Sequence, residues 1–137
     1  PAIDARYPAT LSHQWLTSIL RRSLHFGGVI ISDDLEMAAV AERYGIDELV
    51  QLGVPAGLDI FLVCRDRAKW EQAYESLVHL GESSTWARDQ IAMAAGRVRD
   101  LKTKYLRPWH RPDDLHAMVG TPEHRAIVAR VAEGDAS

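Results

Sequence analysis

Two short apolar runs interrupt a chain whose other apolar positions fall mostly at helical spacing. Val29-Ile30-Ile31 and Ile60-Phe61-Leu62-Val63 are continuous, without polar alternation, which is the pattern of strands buried on both faces. The first strand is expected from about Gly28 to Ile31, fed by the Gly27-Gly28 turn, and the second lies within Asp59 to Cys64. After Asp33 and Asp34, the apolar residues Leu35, Met37, Ala38, Ala39 and Val40 show no period of two, so the chain has left the sheet. The two runs start about 30 positions apart with helical sequence between them, the length of one βα repeat. Such a connection makes the strands parallel and the crossover right-handed.

Around these runs the pattern predicts helices. Pro1 to Leu11 reads as a loop, and Ser12 can cap a helix carrying Leu16, Ile19, Leu20 and Leu24, with Arg21 and Arg22 in its last turns. A short helix is expected from Glu36 to Arg43, ended by Gly45 in a left-handed conformation. Another runs from Asp47 toward Val54 and should kink or stop before Pro55, because an interior proline costs about 3 kcal/mol. Arg65-Asp66-Arg67 reads as a loop. Trp70, Ala73, Tyr74, Leu77 and Val78 form the apolar face of the next helix, and Gly81 to Ser84 reads as a turn. The longest helix is expected from about Thr85 to Tyr105, with Ala87, Ile91, Ala94, Ala95, Val98 and Leu101 on one stripe, ended by Pro108 and Pro112. Thr121 as cap and Pro122 at the first position open a last helix.

Composition narrows the class without naming a function. The 137 residues are 47% hydrophobic and 26% charged, with a net charge of -3. This is ordinary for a globular chain and leaves no basic footprint for nucleic acid or anionic membrane. The single cysteine, Cys64, excludes an internal disulfide and, at the end of an apolar run, is expected to be buried. No apolar run approaches the roughly 20 residues of a bilayer span. Pro1 in place of an initiator Met reads as a chain whose beginning lies upstream. Two parallel strands are too few for an independent sheet, and their open edges are expected to drive self-association or partial disorder of the chain alone.

A strand that ends on adjacent carboxylates is where α/β barrels and doubly wound sheets put their chemistry. Gly28-Val29-Ile30-Ile31-Ser32-Asp33-Asp34-Leu35 with Met37 resembles the nucleophile segment of the family 3 glycoside hydrolases, in particular the bacterial β-N-acetylhexosaminidases of peptidoglycan recycling. Pro8-Ala9-Thr10-Leu11-Ser12, Ala56 to Cys64, Lys104 to Pro108 and Gly120 to Arg125 are similar to further parts of that family. The resemblance implies an α/β fold: the last two βα units of a (β/α)8 barrel over residues 1–107, with a helical tail over 108–137. It also implies a cytoplasmic setting, no cofactor, and a saccharide containing N-acetylglucosamine as ligand.

By this resemblance Asp33 is the nucleophile of a retaining mechanism, Met37 lines the sugar site, and Asp34 has a local structural role. From spacing alone, Ser32-Asp33-Asp34 ahead of a helix also reads as a capping arrangement, and Met37 as plain core. The resemblance further implies an Asp-His pair on a mobile loop, as general acid, and a Lys-His segment, both upstream of the nucleophile strand. Neither is found in this sequence, and His13, His25, His79, His110, His116 and His124 read as surface or packing residues. No phosphate loop, nucleophile elbow or zinc spacing stands out. Two classes of function therefore stay open: the nucleophile-bearing part of a hexosaminidase, inactive by itself, or a noncatalytic remnant or helical interaction module.

Overall fold

The computed structural model describes residues 3–106, 114–115 and 117–134. The chain divides into two compact units, Pro1–Arg107 and Pro108–Ser137. In the first, a 3-10 turn (Ala9–Leu11) and a π-helix (Gln14–Ser23) lead to strand β1 (Ile31–Asp34) and helices α1 (Ala38–Ala41) and α2 (Ile46–Ala56). Strand β2 (Ile60–Leu62) and helices α3 (Arg67–Ser83) and α4 (Thr85–Leu106) follow. The second unit holds α5 (Pro122–Ala132). Thr121 caps it by accepting the His124 N–H at 3.4 Å, and Pro122 opens it. The fold is α/β, with far more helix than sheet.

Helix α2 is the centre of the first unit. Its Leu49 and Val50 are fully buried, and with Leu11, Leu35, Ile46, Val54 and Ala73 they form the main core cluster. Leu16, Ile30, Ala56 and Leu58 form a second cluster, and Phe61 of β2 packs against both. The close approach of α2 to β2 depends on Gly53, where an added Cβ would lie 2.5 Å from the Phe61 ring and 2.9 Å from Leu58. Gly53→Ala is therefore expected to lose about 1–3 kcal/mol by overpacking, despite alanine's higher helix propensity. Denaturant unfolding of the two forms measures this directly.

Several expectations from the sequence are corrected. The first strand lies later than Gly28 to Ile31, because the Ile30 N–H is taken by the Asp59 carboxylate at 2.8 Å, so regular pairing begins only at Ile31. The strands are not buried on both faces: Ile31 and Leu62 stay 49% and 38% exposed, since a two-stranded sheet leaves one face without cover. Cys64 is exposed rather than buried, because β2 ends at Leu62 and the thiol falls in the loop beyond. The short helix after β1 is only Ala38–Ala41. Gly45 is not a left-handed terminator; at φ -71° it is the N-cap of α2.

Helix α2 also runs through Pro55. The proline falls in the last turn, where it removes a single ladder bond, and Gly57 at φ 106° closes the helix. The expected turn at Gly81 is helical, and the break comes at Ser84. On α3, Ala73 is buried, but Trp70, Tyr74 and Val78 are exposed, and the two rings stack on each other 6.0 Å apart. Ser12 caps as expected: its hydroxyl accepts the Trp15 N–H at 3.3 Å and donates to Asp4. The helix it starts has wide turns, with the Leu24 N–H reaching back five residues to Ile19. The four-residue spacing of Leu16, Leu20 and Leu24 fits both turn widths, so the pattern could not separate them. Pro108 and Pro112 lie outside the described residues.

Candidate active site

The strands pair in parallel, Ile31 with Ile60 and Asp34 with Leu62. Two residues of β1, Ser32 and Asp33, thus stand opposite one of β2, Phe61. This is a β-bulge, a device that re-aims a side chain at the end of a strand. Ser32 builds it. Its hydroxyl is buried, accepts the Leu62 N–H at 2.9 Å in place of a backbone carbonyl, and donates to its neighbour's carbonyl, Asp33 O, at 2.7 Å.

Asp33 leaves the bulge exposed to solvent. Among the described residues its carboxylate accepts one hydrogen bond, from the Asp34 N–H at 2.9 Å, and so caps no helix. Asp34 instead folds the turn locally, accepting the Glu36 N–H at 3.0 Å. Met37 sits four residues beyond Asp33, 43% exposed, at the N-terminus of α1.

Glu36 organises the loop after β2 and was not singled out from the sequence. Its Oε2 accepts three successive backbone N–H groups of the loop after β2: Cys64 at 3.0 Å, Arg65 at 2.6 Å and Asp66 at 3.2 Å. Its Oε1 faces Lys69 Nζ at 3.7 Å, and the side chain is only 5% exposed. These amides, the Arg65 N–H foremost, hold its carboxyl below the usual glutamate range against the opposing effect of burial. Desolvation and then the nearby Asp34 carboxylate push the Cys64 thiol up. The only sequence signal for Glu36 was an acidic residue just ahead of a helix, which ordinarily means a favourable dipole contact.

The depressed Glu36 carboxyl has a consequence for stability. A group whose pKa is lower in the folded state stabilises fully above its unfolded value, about 4.3, and loses that contribution as pH falls through the folded value. The acid limb of thermal stability in Glu36→Gln, followed between about pH 3 and 6, is therefore expected to be shallower than in the parent.

At the other end of the strands a second carboxylate is entirely enclosed. Asp59, with no side-chain exposure, accepts from Arg21 Nη2 at 2.6 Å, from Arg97 Nε at 2.8 Å and Nη2 at 2.7 Å, and from the Ile30 N–H. Arg21 also donates to the carbonyls of Gly28 and Gly57. This cluster joins the π-helix, the residues just ahead of both strands, and α4, and its placement away from the strands' C-terminal ends marks it as structural. His13, His25, His79 and His124 are exposed, while His110 and His116 lie outside the described residues. Among the described residues, no three His, Cys, Asp or Glu side chains could hold a metal ion, and no helix is long and apolar enough to cross a membrane.

A parallel βαβ unit with an outward-aimed carboxylate at the end of its first strand is a segment of an α/β fold. The family model described as "Glycosyl hydrolase family 3 N terminal domain" matches residues 1–101, and the chain belongs to that family. It is 30% identical over 132 residues to the "Beta-hexosaminidase A" of Pseudoalteromonas piscicida, an alignment covering 91% of this chain and 22% of that protein. The "Beta-hexosaminidase" of Pseudomonas aeruginosa strain LESB58 is 42% identical over 80 residues, 58% of this chain and 24% of the relative.

Among solved structures, a family 3 β-N-acetylglucosaminidase from Paenibacillus sp. str. FPU-7 superposes with a TM-score of 0.80 at 30% identity, over 97% of this chain and 26% of that one. The β-N-acetylglucosaminidase from Thermotoga maritima gives 0.67 at 34% identity, over 72% and 22%. The chain thus spans about a quarter of the length of the relatives it matches.

Proposed function

We propose that this chain is the nucleophile-bearing segment of a retaining β-N-acetylhexosaminidase, forming the last two βα units of a (β/α)8 barrel followed by a helical tail. The observation that carries the reading is Asp33 itself: a carboxylate aimed outward by a bulge at the C-terminal end of a parallel strand, spared from helix capping. The parallel pairing and the uncovered apolar positions Ile31 and Leu62 support a sheet that continues beyond two strands.

In the reaction, an Asp33 oxygen attacks the anomeric carbon of an N-acetyl-β-glucosaminide as the bond to the aglycone oxygen breaks, and the aglycone leaves with a proton from a general acid. Water then cleaves the glycosyl ester, releasing the sugar and restoring the Asp33 carboxylate. The acid and most sugar contacts belong to the rest of the enzyme, so the 137-residue chain by itself is inactive. Met37, four residues beyond Asp33 in the chain and exposed, contributes to the sugar-binding wall. The substrates are N-acetylglucosamine-containing peptidoglycan fragments recycled in the cytoplasm, handled without a cofactor.

The test is to trap the intermediate. A 2-fluoro glycoside slows the second step, and the labelled peptide from the complete enzyme is expected to be the one holding Asp33, with the ester on that residue. Label on Asp34 or elsewhere would overturn the assignment.

A further inference from the structure

Asp33 has little to hold it in place. It is exposed and makes one local hydrogen bond among the described residues, so its direction is inherited from the backbone on either side. On the N-terminal side the Ser32 hydroxyl is tied to the Leu62 N–H. On the C-terminal side the Leu35 N–H donates to Leu62 O at 2.9 Å, and the Glu36 carboxylate takes the Cys64, Arg65 and Asp66 amides of the loop after β2. Enclosing a carboxylate to 5% exposure costs desolvation that only such a complete set of donors offsets. A solvent-facing polar residue ahead of a four-residue helix would need none of this.

We propose that Glu36 is a positioning residue for the glycosidase reaction: by gathering the amides of Cys64, Arg65 and Asp66 it pins the β2–α3 loop to the turn after β1 and fixes the direction in which Asp33 leaves the bulge. The proposal rests on Asp33 being the nucleophile. It acts through geometry. The attacking oxygen must stand near contact distance from the anomeric carbon, and a drift of about 1 Å costs on the order of 100-fold in rate. Without the carboxylate, the three amides lose their shared acceptor, and the loop after β2 loses three of the hydrogen bonds that tie it to the turn after β1.

The experiment measures, in the complete enzyme, the rate at which a 2-fluoro glycoside labels Asp33, together with KM and kcat for an aryl N-acetyl-β-glucosaminide. Glu36→Ala is expected to slow labelling and kcat by roughly 10- to 100-fold, with KM little changed. Glu36→Gln, which keeps an accepting oxygen but not the charge, is expected to recover most of the rate and stay a few-fold slow. Should the alanine variant not fold, the glutamine variant carries the test alone, assayed well below its melting temperature. Either variant labelling at the wild-type rate overturns the positioning role, because a merely structural carboxylate would lower the melting temperature and leave the chemistry of the folded enzyme unchanged. Label on another residue in the wild-type enzyme is a different failure, which removes the nucleophile assignment and this proposal with it.

Discussion

Asp33→Asn is expected to abolish turnover in the complete enzyme, lowering kcat by on the order of 10,000-fold or more, the scale on which loss of a covalent nucleophile falls. The amide keeps the shape of the side chain and can still accept the Asp34 N–H, but it presents no anionic oxygen to the anomeric carbon. Because the residue is exposed, stability should stay within about 0.5 kcal/mol of the parent, so lost activity cannot be assigned to unfolding. Asp34→Asn is the informative contrast. Its amide oxygen can continue to accept the Glu36 N–H that shapes the turn, and substantial activity should remain. Steady-state kinetics on an aryl N-acetyl-β-glucosaminide, with melting curves of all three proteins, decide the matter; an Asp33→Asn enzyme that turned over normally would contradict the assignment.

The largest stability effect is expected at the opposite end of the strands. Asp59→Ala leaves the guanidinium groups of Arg21 and Arg97 without their shared counter-ion and strands the Ile30 N–H. Breaking a buried ion cluster by removing one member typically costs about 3–5 kcal/mol, a large share of the stability of a small domain. Among the described residues, Arg21 Nε is already buried without a partner, which leaves little slack for the cluster to rearrange. The midpoint of denaturant unfolding should fall accordingly, and a shift no larger than that of an exposed substitution would show the cluster to be dispensable. Since the Coulombic gain here is set against desolvation, replacing all three charges by apolar groups of similar volume should cost less than the single change.

Much of the local structure was legible from the chain itself. The unbroken apolar runs located both strands to within three residues, and the helical sequence between them implied the parallel pairing that is observed. The Thr121-Pro122 start of α5 and the long α4 followed from capping chemistry and periodicity. Ser32-Asp33-Asp34-Leu35 marked the candidate site and its family. These are short-range properties: the period of apolar positions, a hydroxyl three residues ahead of an amide, a carboxylate at the end of a run.

What tertiary structure alone decided is how polar groups distant in the chain find each other. Ser32 meets Leu62 across 30 residues and turns a plain strand end into a bulge, and Glu36 reaches 28 to 30 residues ahead to three amides. Asp59 gathers Arg21 and Arg97, each 38 positions away. Read locally, Glu36 was a helix-start acid, Arg21 a cation suited to a helix end, and Asp59 the first residue of a strand, each complete without a distant partner. The exposure of Cys64 was hidden for the same reason: an apolar run shows where a strand can form, but the strand stops where its hydrogen-bonding partners stop, and those partners are brought together only by the fold.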